Sequence, residues 1–314
     1  MYTHISKETI DWLMSGDPSI RWQTMRDLLD EPEETWRAEQ QRTLQTGWVA
    51  QLLAHQDPGG GWGGGIYSPK WISATYTLLT LCELGIPRGC AAAQKGARLV
   101  VDSFLGDSLG PKFLSTLARC DRCIVGMLLQ LAVYFEIEDA RVEAIVDNLL
   151  NVIMPDGAWN CRRDSRPKPH HSSFHTTFNV LDGLRNYVEL FPGVRRAEVL
   201  AAEETAREWM LLHRLYKSHR SGEIINPRFT MLSFPHHWHY DVLRGLEYFA
   251  RVGAPHDERL QDAIQLLRDK RREDGFWPVQ QRYSGKVFFH MEKIGSPSRW
   301  NTLRALRVLR WWEA

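Results

Sequence analysis

The feature that most restricts the fold is a helical segment that recurs along the chain. Three copies read basic, aromatic, amide or acid, and then apolar-Arg-x-Leu, at residues 21–28, 239–246 and 299–306. Three weaker copies lie between them, and successive copies are 49 to 62 residues apart. The aligned positions are Trp22, Tyr76, Val125, Phe178, Tyr240 and Trp300. A period of this length indicates one helix pair in each repeat.

A second helix is predicted after each of the first five copies. The candidates carry apolar residues at helical spacing and span residues 34–55, 91–105, 140–153, 196–213 and 258–272. Three of them end in a related turn in which Trp follows Gly by two residues, at 56–62, 155–159 and 273–277. Glycine past a helix end permits a left-handed cap. We expect each tryptophan to fold back onto the helix ends.

Helix pairs repeated six times without a strand signal form an open solenoid or a closed toroid. Six pairs close an (α/α)6 barrel, so we predict an all-α toroid with six inner and five to six outer helices. The first helix of each pair is richer in apolar and aromatic residues and is therefore placed inside. A helix at 6–14 is expected to cover the remaining gap. No Gly/Ser-rich linker divides the chain, which predicts a single domain over residues 1–314.

Charge and hydropathy argue against several partners. The chain has 39 Lys and Arg against 38 Asp and Glu, with no basic run, which argues against a nucleic-acid partner. No apolar stretch approaches the roughly 20 residues of a membrane span. The first residues lack a signal-type apolar segment, so we predict a cytoplasmic protein. Its five cysteines are then expected to be thiols or metal ligands and not disulfides.

The middle of the chain carries the side-chain types that bind zinc. Asp121, Cys123 and His175 lie at the starts of two successive predicted inner helices. Inner helices one repeat apart start at the same end of a toroid, so these residues can converge. Cys161, on the turn between the helices, is a candidate fourth ligand that would make the site closed and structural. Alternatively, Cys123 and His175 are ordinary core residues, and Cys120 faces outward.

The repeat and the ligand motifs of this chain resemble those of a known superfamily. Its Gly-x-Trp turns and helix-pair period are similar to the terpenoid cyclase and protein prenyltransferase toroids, closest to short bacterial squalene-cyclase-like proteins. Asp121-Arg122-Cys123 and the helix start at 174–184 resemble the two zinc motifs of the prenyltransferase β-subunit. The resemblance therefore implies zinc on Asp121, Cys123 and His175.

Other motifs of the superfamily are missing. The Asp-x-Asp-Asp motif that protonates an alkene in squalene-type cyclases does not occur, nor does the Asp-Asp-x-x-Asp magnesium motif. Ser115 and Ala118 stand where the prenyltransferases carry basic residues for a diphosphate. Neither cyclase mechanism nor a prenyl diphosphate substrate is therefore expected from the resemblance.

A cluster of polar residues opens the fifth predicted inner helix. Histidine is the usual acid/base group near neutral pH, so these side chains are candidates for proton transfer. They are His236, His237, His239, Tyr240 and Asp241. In the alternative interpretation, the segment is a solvated helix start with one imidazole stacked on Trp238.

Aromatic residues are placed near the same predicted end of the barrel. They either line an apolar pocket whose ring faces stabilise cations or fill the barrel as core. The candidates are Trp22, Trp71, Phe174, Trp238, Tyr240 and Trp300.

Together these features predict a zinc-binding enzyme, a transferase or a lyase/cyclase of terpenoid type, that acts on an isoprenoid-like or other small apolar molecule. The alternative is a zinc-stabilised toroid that binds a lipid or peptide without chemistry. Four protein ligands would favour that alternative, and an open coordination position would favour the enzyme. A carbohydrate-active toroid would need paired carboxylates across the mouth, and the motifs contain no such pair.

Overall fold

The computed structural model describes residues 5–137, 139–161 and 169–314. The regular secondary structure of the described residues is helical, with isolated β-bridges in place of strands, which confirms the predicted all-α class. The helices are α1 (Lys7–Met14), α2 (Pro18–Asp27), α3 (Glu33–Arg42), α4 (Gly47–Ala54), α5 (Ala74–Leu84), α6 (Ala91–Leu105), α7 (Pro111–Arg119), α8 (Arg122–Tyr134), α9 (Ala140–Leu150), α10 (Phe174–Leu190), α11 (Arg196–Leu212), α12 (Val242–Arg251), α13 (Gln261–Asp269) and α14 (Arg299–Trp312). Short 3₁₀ turns span Pro227–Thr230 and Glu258–Leu260. In this described part of the chain, no helix is long and apolar enough to cross a bilayer.

The predicted repeat coincides with helices of the structure, with four differences. Five of the aligned positions lie in α2, α5, α8, α10 and α14, whereas Tyr240 lies two residues before α12. The helix expected at 34–55 is two helices, α3 and α4. The helix α7 was not expected, and α13 is preceded by a 3₁₀ turn. Among the second helices, α6 has the predicted bounds, and α9 and α11 end within three residues of the predicted ends.

The break between α3 and α4 is caused by the capping carboxylate of Asp17. Its Oδ1 accepts a hydrogen bond from the Ser19 amide (2.8 Å), which caps α2. Its Oδ2 accepts one from the Trp48 amide (2.7 Å), at the start of α4. Gly47 has a φ of +84°, and a Cβ there would lie 2.4 Å from the same Oδ2. One carboxylate thus fixes the starts of two helices, and a continuous helix could not make this contact.

The chain divides into two compact units, which are described separately. The first comprises the residues up to Ala54 together with Leu84–Pro87 and Leu211–Ala314, and the second comprises His55–Glu83 and Arg88–Met210. In the first unit, α14 packs against α1, α2 and α12. The Trp22 indole there donates to the Leu84 carbonyl (3.4 Å), which holds α2 against the short segment Leu84–Pro87.

In the second unit, the predicted turn of the third repeat holds two helices together. The indole N–H of Trp159 donates to the Leu149 carbonyl at the end of α9 (2.9 Å). The Trp159 amide donates to Thr177 Oγ1 (3.2 Å), and the Trp159 carbonyl accepts from the Ser173 amide (2.8 Å). The ring is fully buried. The tryptophan therefore folds back onto the helix end, as expected from the sequence.

The same turn recurs in the first unit with the same contacts. The Trp277 indole donates to the Leu267 carbonyl of α13 (2.7 Å), and its amide donates to Thr302 Oγ1 of α14 (3.0 Å). The Trp277 carbonyl accepts from the Ser298 amide (2.8 Å). Trp62, in the remaining turn of this type, is fully buried as well. The repeat read from the sequence is thus a structural repeat at the level of individual hydrogen bonds.

Helices α8 and α10 of the second unit pack closely because two glycines lie at their contact. A Cβ on Gly126 would come within 2.3 Å of the Asn179 carbonyl oxygen, and one on Gly183 would lie 2.5 Å from the Gly126 carbonyl oxygen. The close backbone approach brings together the starts of these two helices, which carry most of the predicted metal ligands.

Candidate functional site

The start of α8 positions Asp121 and Cys123. Asp121 occupies the N-cap position, and its backbone carbonyl accepts from the amides of Ile124 and Val125. Its carboxylate makes no capping hydrogen bond to the helix. Cys123 follows in the first turn and is half-buried. The helix thus presents a carboxylate and a thiol at its amino-terminal end.

The segment after Trp159 positions the second thiol. The Asn160 side chain accepts from the Cys161 amide (2.8 Å) and donates to the His171 carbonyl (2.6 Å). The Asp156 carboxylate accepts from the Ser172 amide (2.8 Å). These bonds connect residues 156 and 160 with residues 171 and 172. Residues 162–168 lie outside the described residues.

The two thiols meet. The Sγ atoms of Cys123 and Cys161 are 3.0 Å apart and share a hydrogen bond. Thr176, in the first turn of α10, donates its hydroxyl to Cys161 Sγ (3.2 Å). Both cysteines are free and half-buried. Two of the four predicted metal ligands are therefore brought together from segments 38 residues apart.

The hydrogen bonds shift the pKa values of the two thiols in opposite directions. The bond from Cys123 and the bond from the Thr176 hydroxyl lower the pKa of Cys161 to about 7, against the effect of burial. The same shared bond, together with burial, raises the pKa of Cys123 well above its ordinary value. The charge of Asp121 disfavours a thiolate at either sulfur. These bonds therefore favour the thiolate at Cys161 over the thiolate at Cys123.

Zinc fits the chemistry of these donors, because thiolates and a carboxylate are among its usual ligands. Two sulfurs on one tetrahedral zinc, each about 2.3 Å from the metal, lie about 3.8 Å apart. The observed 3.0 Å is shorter, so the thiols would have to separate to hold the ion. His175 lies in the first turn of α10, and its carbonyl accepts from the Asn179 side chain. Among the described residues, no group of three or more His, Cys, Asp or Glu side chains is placed to hold a metal.

An aromatic wall lies beside the thiol pair. The Tyr76 ring is 5.1 Å from that of Tyr67 and 4.8 Å from that of Trp71, which meets it edge to face. The Lys70 ammonium lies over all three rings, 5.2 to 5.8 Å from their centroids. Burial lowers the pKa of Lys70 while the charge of Cys123 opposes this shift. Burial likewise raises the pKa of Tyr67 and of Tyr76, and the Cys123 charge adds to both shifts.

This wall contains one predicted pocket residue, Trp71, and two that the sequence analysis missed. Tyr67 and Lys70 lie on the loop before α5, and glycines shape that loop. A Cβ on Gly65 would overlap the Ser68 carbonyl oxygen at 1.9 Å. The run Gly63-Gly64-Gly65 was the available signal, because such a run marks a loop that folds back closely on itself.

The remaining predicted pocket residues pack within their own units. In the second unit, the Phe174 ring lies 4.6 Å from the Trp209 ring. In the first unit, Trp300 stacks on Phe234 at 4.9 Å. Trp22, also in the first unit, is 3% exposed and lies under the Arg26 guanidinium. These contacts favour the packing alternative for Trp22 and Trp300.

In the predicted acid/base cluster, Tyr240 and Asp241 have structural contacts. Tyr240 is fully buried, and its hydroxyl donates to the Leu215 carbonyl (2.7 Å). Asp241 caps α12 by accepting from the Arg244 amide (2.9 Å). It also accepts from the amide and hydroxyl of Ser233 (3.0 and 2.6 Å). These bonds order the start of α12.

The imidazoles of the cluster differ in their surroundings. The pKa of His236 lies well below its usual range, because protein encloses the ring and the charges of Arg244 and Arg304 repel a proton. His236 is therefore neutral at physiological pH. His239 is stacked between Trp238 (3.8 Å) and Tyr283 (3.3 Å). This stacking agrees with the alternative in which one imidazole packs on Trp238.

Comparisons with known proteins give structural similarity only. No family model matches the sequence, and no curated protein matches it. A glycosyl hydrolase family 88 protein from Bacteroides vulgatus is 12% identical with a TM-score of 0.49, over 97% of each chain. A protein from Actinoplanes is 18% identical with a TM-score of 0.43, over 95% of this chain and 91% of that chain.

The type II terpene cyclase MstE from Scytonema is also similar in structure. It is 14% identical with a TM-score of 0.32, over 87% of this chain and 97% of its own.

Proposed function

We propose that the second unit carries a zinc–thiolate site beside a pocket for a small apolar, isoprenoid-like molecule, and that the protein is an enzyme acting on that molecule. The proposal rests on the distance of 3.0 Å between the Sγ atoms of Cys123 and Cys161. Two half-buried thiols from separate segments form a soft donor pair of the kind that selects zinc. The wall of Tyr67, Trp71 and Tyr76 supports an apolar occupant, because aromatic faces dominate pockets for such ligands.

Cys123 and Cys161 would hold the ion, with Asp121 and His175 completing the set. Zinc at this site would supply Lewis acidity and would lower the pKa of a bound thiol or water. Residues other than the proposed ligands would also contribute to the site. Thr176 orients the Cys161 sulfur through its 3.2 Å hydrogen bond. The aromatic rings exclude water from the side of the pocket that they form.

Elemental analysis of the purified, reduced protein tests the metal part of the proposal. We expect close to one zinc per chain in the wild type and at least about a tenfold loss in Cys123→Ser and Cys161→Ser, since thiolates dominate the binding. Cys90→Ser is the matched control, because Cys90 precedes α6 and is not a proposed ligand. Wild-type protein without metal, prepared in zinc-containing buffer, would refute the zinc site.

The apolar pocket is tested separately with a dansyl-labelled farnesol as the probe. We expect saturable binding that weakens several-fold in Trp71→Ala, because this ring supplies buried apolar surface. Trp312→Ala is the control, since Trp312 lies in the first unit and stacks on His256. Equal binding by both variants would refute the assignment of the wall as the pocket.

A second candidate is a zinc-stabilised binding protein without chemistry. It is favoured by the contact of Cys161 with Cys123, which offers a fourth ligand. If all four proposed ligands bind, the coordination is closed and no position remains for a substrate. Replacing zinc with cobalt distinguishes the two, because the visible spectrum of cobalt reports its ligands. Adding ethanethiol will change the spectrum of an open site and leave that of a closed site unchanged.

We retain His236, His237 and His239 as proposed acid/base groups of the first unit. Support comes from the grouping of three imidazoles just before α12, because histidine is the usual acid/base group near neutral pH. Tyr240 and Asp241 are proposed only as structural residues of this cluster. His236→Gln is expected to reduce the catalytic activity of the protein. A variant that turns over normally would remove His236 from the proposal.

A further inference from the structure

We propose that Cys123 and Cys161 form a thiol–disulfide couple that reacts with low-molecular-weight disulfides when no metal is bound. The proposal uses the same two sulfurs as the proposed zinc site but does not depend on zinc binding. The sulfurs are 3.0 Å apart, whereas a disulfide bond is about 2.05 Å long, so closure requires about 1 Å of movement. Two sulfurs on zinc would lie about 3.8 Å apart, so the observed separation lies between that of a disulfide and that of a metal-bound pair.

The two sulfurs are carried by segments of different kinds. Cys123 belongs to the first turn of α8, and this helix packs tightly on α10 through Gly126. Cys161 belongs to a loop segment that follows Trp159 and is held by the Asn160 side chain. Because a helix residue is fixed by its neighbours and a loop residue can shift, Cys161 is the sulfur that moves to close the bond.

Cys161 is also the attacking sulfur. It accepts the Thr176 hydroxyl hydrogen bond (3.2 Å), and a donor aimed at sulfur favours the thiolate. Cys161 is half-buried, so a small disulfide can reach it. Cys82, by contrast, is buried in α5 and is not expected to react.

The exchange proceeds in two steps with glutathione disulfide as the oxidant. First, the Cys161 thiolate attacks one sulfur of glutathione disulfide; a mixed disulfide forms, and one glutathione leaves as a thiolate that takes up a proton. Next, Cys123 loses its proton and attacks Cys161 Sγ; the Cys123–Cys161 bond forms, and the second glutathione leaves with that proton. In sum, two protein thiols are oxidised and one glutathione disulfide is reduced to two glutathiones.

The experiment maps disulfides in full-length, metal-free protein. The protein is equilibrated with mixtures of reduced and oxidised glutathione, its free thiols are alkylated, and its peptides are analysed by mass spectrometry. We expect one linked pair, Cys123 to Cys161, while Cys82, Cys90 and Cys120 stay alkylated. In Cys123→Ser we expect glutathione to accumulate on Cys161 by at least about tenfold, because the resolving thiol is gone.

Other results would overturn the proposal. A Cys120–Cys123 bond in place of the expected pair would overturn it, as would a stable glutathione adduct on Cys161 in the wild type. The absence of any link at a glutathione ratio that oxidises free dithiothreitol would do so too. Cys90→Ser is the control and keeps the Cys123–Cys161 bond.

The outcome is separable from that of the zinc proposal. His175→Ala removes a proposed metal ligand but neither sulfur, so it is expected to lower the zinc content and to leave the Cys123–Cys161 bond unchanged. Zinc-free wild-type protein that forms the bond would refute only the zinc site. Zinc-loaded protein that forms no bond after chelation would refute only the exchange couple.

Discussion

The substitution Trp277→Phe tests the repeated tryptophan turn on which both units are built. Trp277 is fully buried, and its indole N–H donates to the Leu267 carbonyl at 2.7 Å. Phenylalanine fills most of the same space but has no donor. The backbone bonds of the turn, from the Trp277 amide to Thr302 and from the Ser298 amide to the Trp277 carbonyl, do not involve the side chain and stay available.

The expected loss of stability has two causes, a lost hydrogen bond and a void in the core. Without the indole, the Leu267 carbonyl keeps only the long 3.3 Å bond from the Lys270 amide, and losing the better partner of a buried group costs about 1–2 kcal/mol. The smaller ring removes about three heavy atoms and leaves a void that costs about another 1–2 kcal/mol. We therefore expect Trp277→Phe to lower the free energy of unfolding by about 2–4 kcal/mol.

Urea unfolding followed by far-UV circular dichroism is a suitable assay, because it does not rely on tryptophan fluorescence. Trp312→Phe is the matched control. Its ring is half-exposed and stacks on His256, so the expected change is below about 1 kcal/mol. If Trp277→Phe and Trp312→Phe shift the unfolding midpoint equally, the argument that the turn is held by its buried hydrogen bond is wrong.

Three further substitutions test separate parts of the fold. Gly126→Ala places a methyl group 2.3 Å from the Asn179 carbonyl oxygen and is expected to cost about 1–3 kcal/mol in urea unfolding, whereas Gly89→Ala meets open space and serves as the control. Glu203→Gln removes the charge that pairs with Arg185, and because this pair is buried we expect a loss of about 3 kcal/mol, measured in the same way. Asp262→Asn is expected to destabilise the protein at pH 7 and to have a progressively smaller effect as the pH falls below 3.8, as thermal unfolding across this range will show. The hydrogen bond from Lys217 holds the pKa of Asp262 below its ordinary value of 3.8, so its stabilisation exists above that value and disappears as the carboxylate is protonated.

Much of the fold was predictable because it depends on local patterns. The bounds of α6 follow from helical spacing and a preceding turn, and the contacts of Trp159 and Trp277 follow from the Gly-x-Trp pattern. The break between α3 and α4 was not predictable in this way. It depends on the Asp17 carboxylate, which lies 31 residues before the amide of Trp48 that it caps. A contact between residues so far apart leaves no periodic signal in the sequence of either segment.

The candidate site was predictable to a similar extent. Cys161, the candidate fourth ligand on the turn, meets Cys123, whereas the expected convergence of Cys123 with His175, one repeat away, stays a prediction. Lys70 and Tyr67 could not be placed, because their positions depend on how a glycine-rich loop folds back before α5. Tyr240 and Asp241 were assigned to chemistry from residue type and from their place at the start of the fifth predicted inner helix. Their hydrogen bonds to Leu215 and Ser233 involve positions that no pattern in the sequence connects to them.

The repeat also allows the turn at Trp159 to be compared with the turn at Trp277 in the same chain. Ser173 and Thr177 make the same contacts to Trp159 as Ser298 and Thr302 make to Trp277, so the two turns can be aligned residue by residue. At the position of Cys161, the other turn has the buried Val279, and at the positions of His175 and Thr176 it has Trp300 and Asn301. The turn therefore folds without a thiol, an imidazole or a hydroxyl at these three positions. Since the fold does not require them, their presence together in one copy, beside Cys123, supports a chemical role for that copy and not for the other.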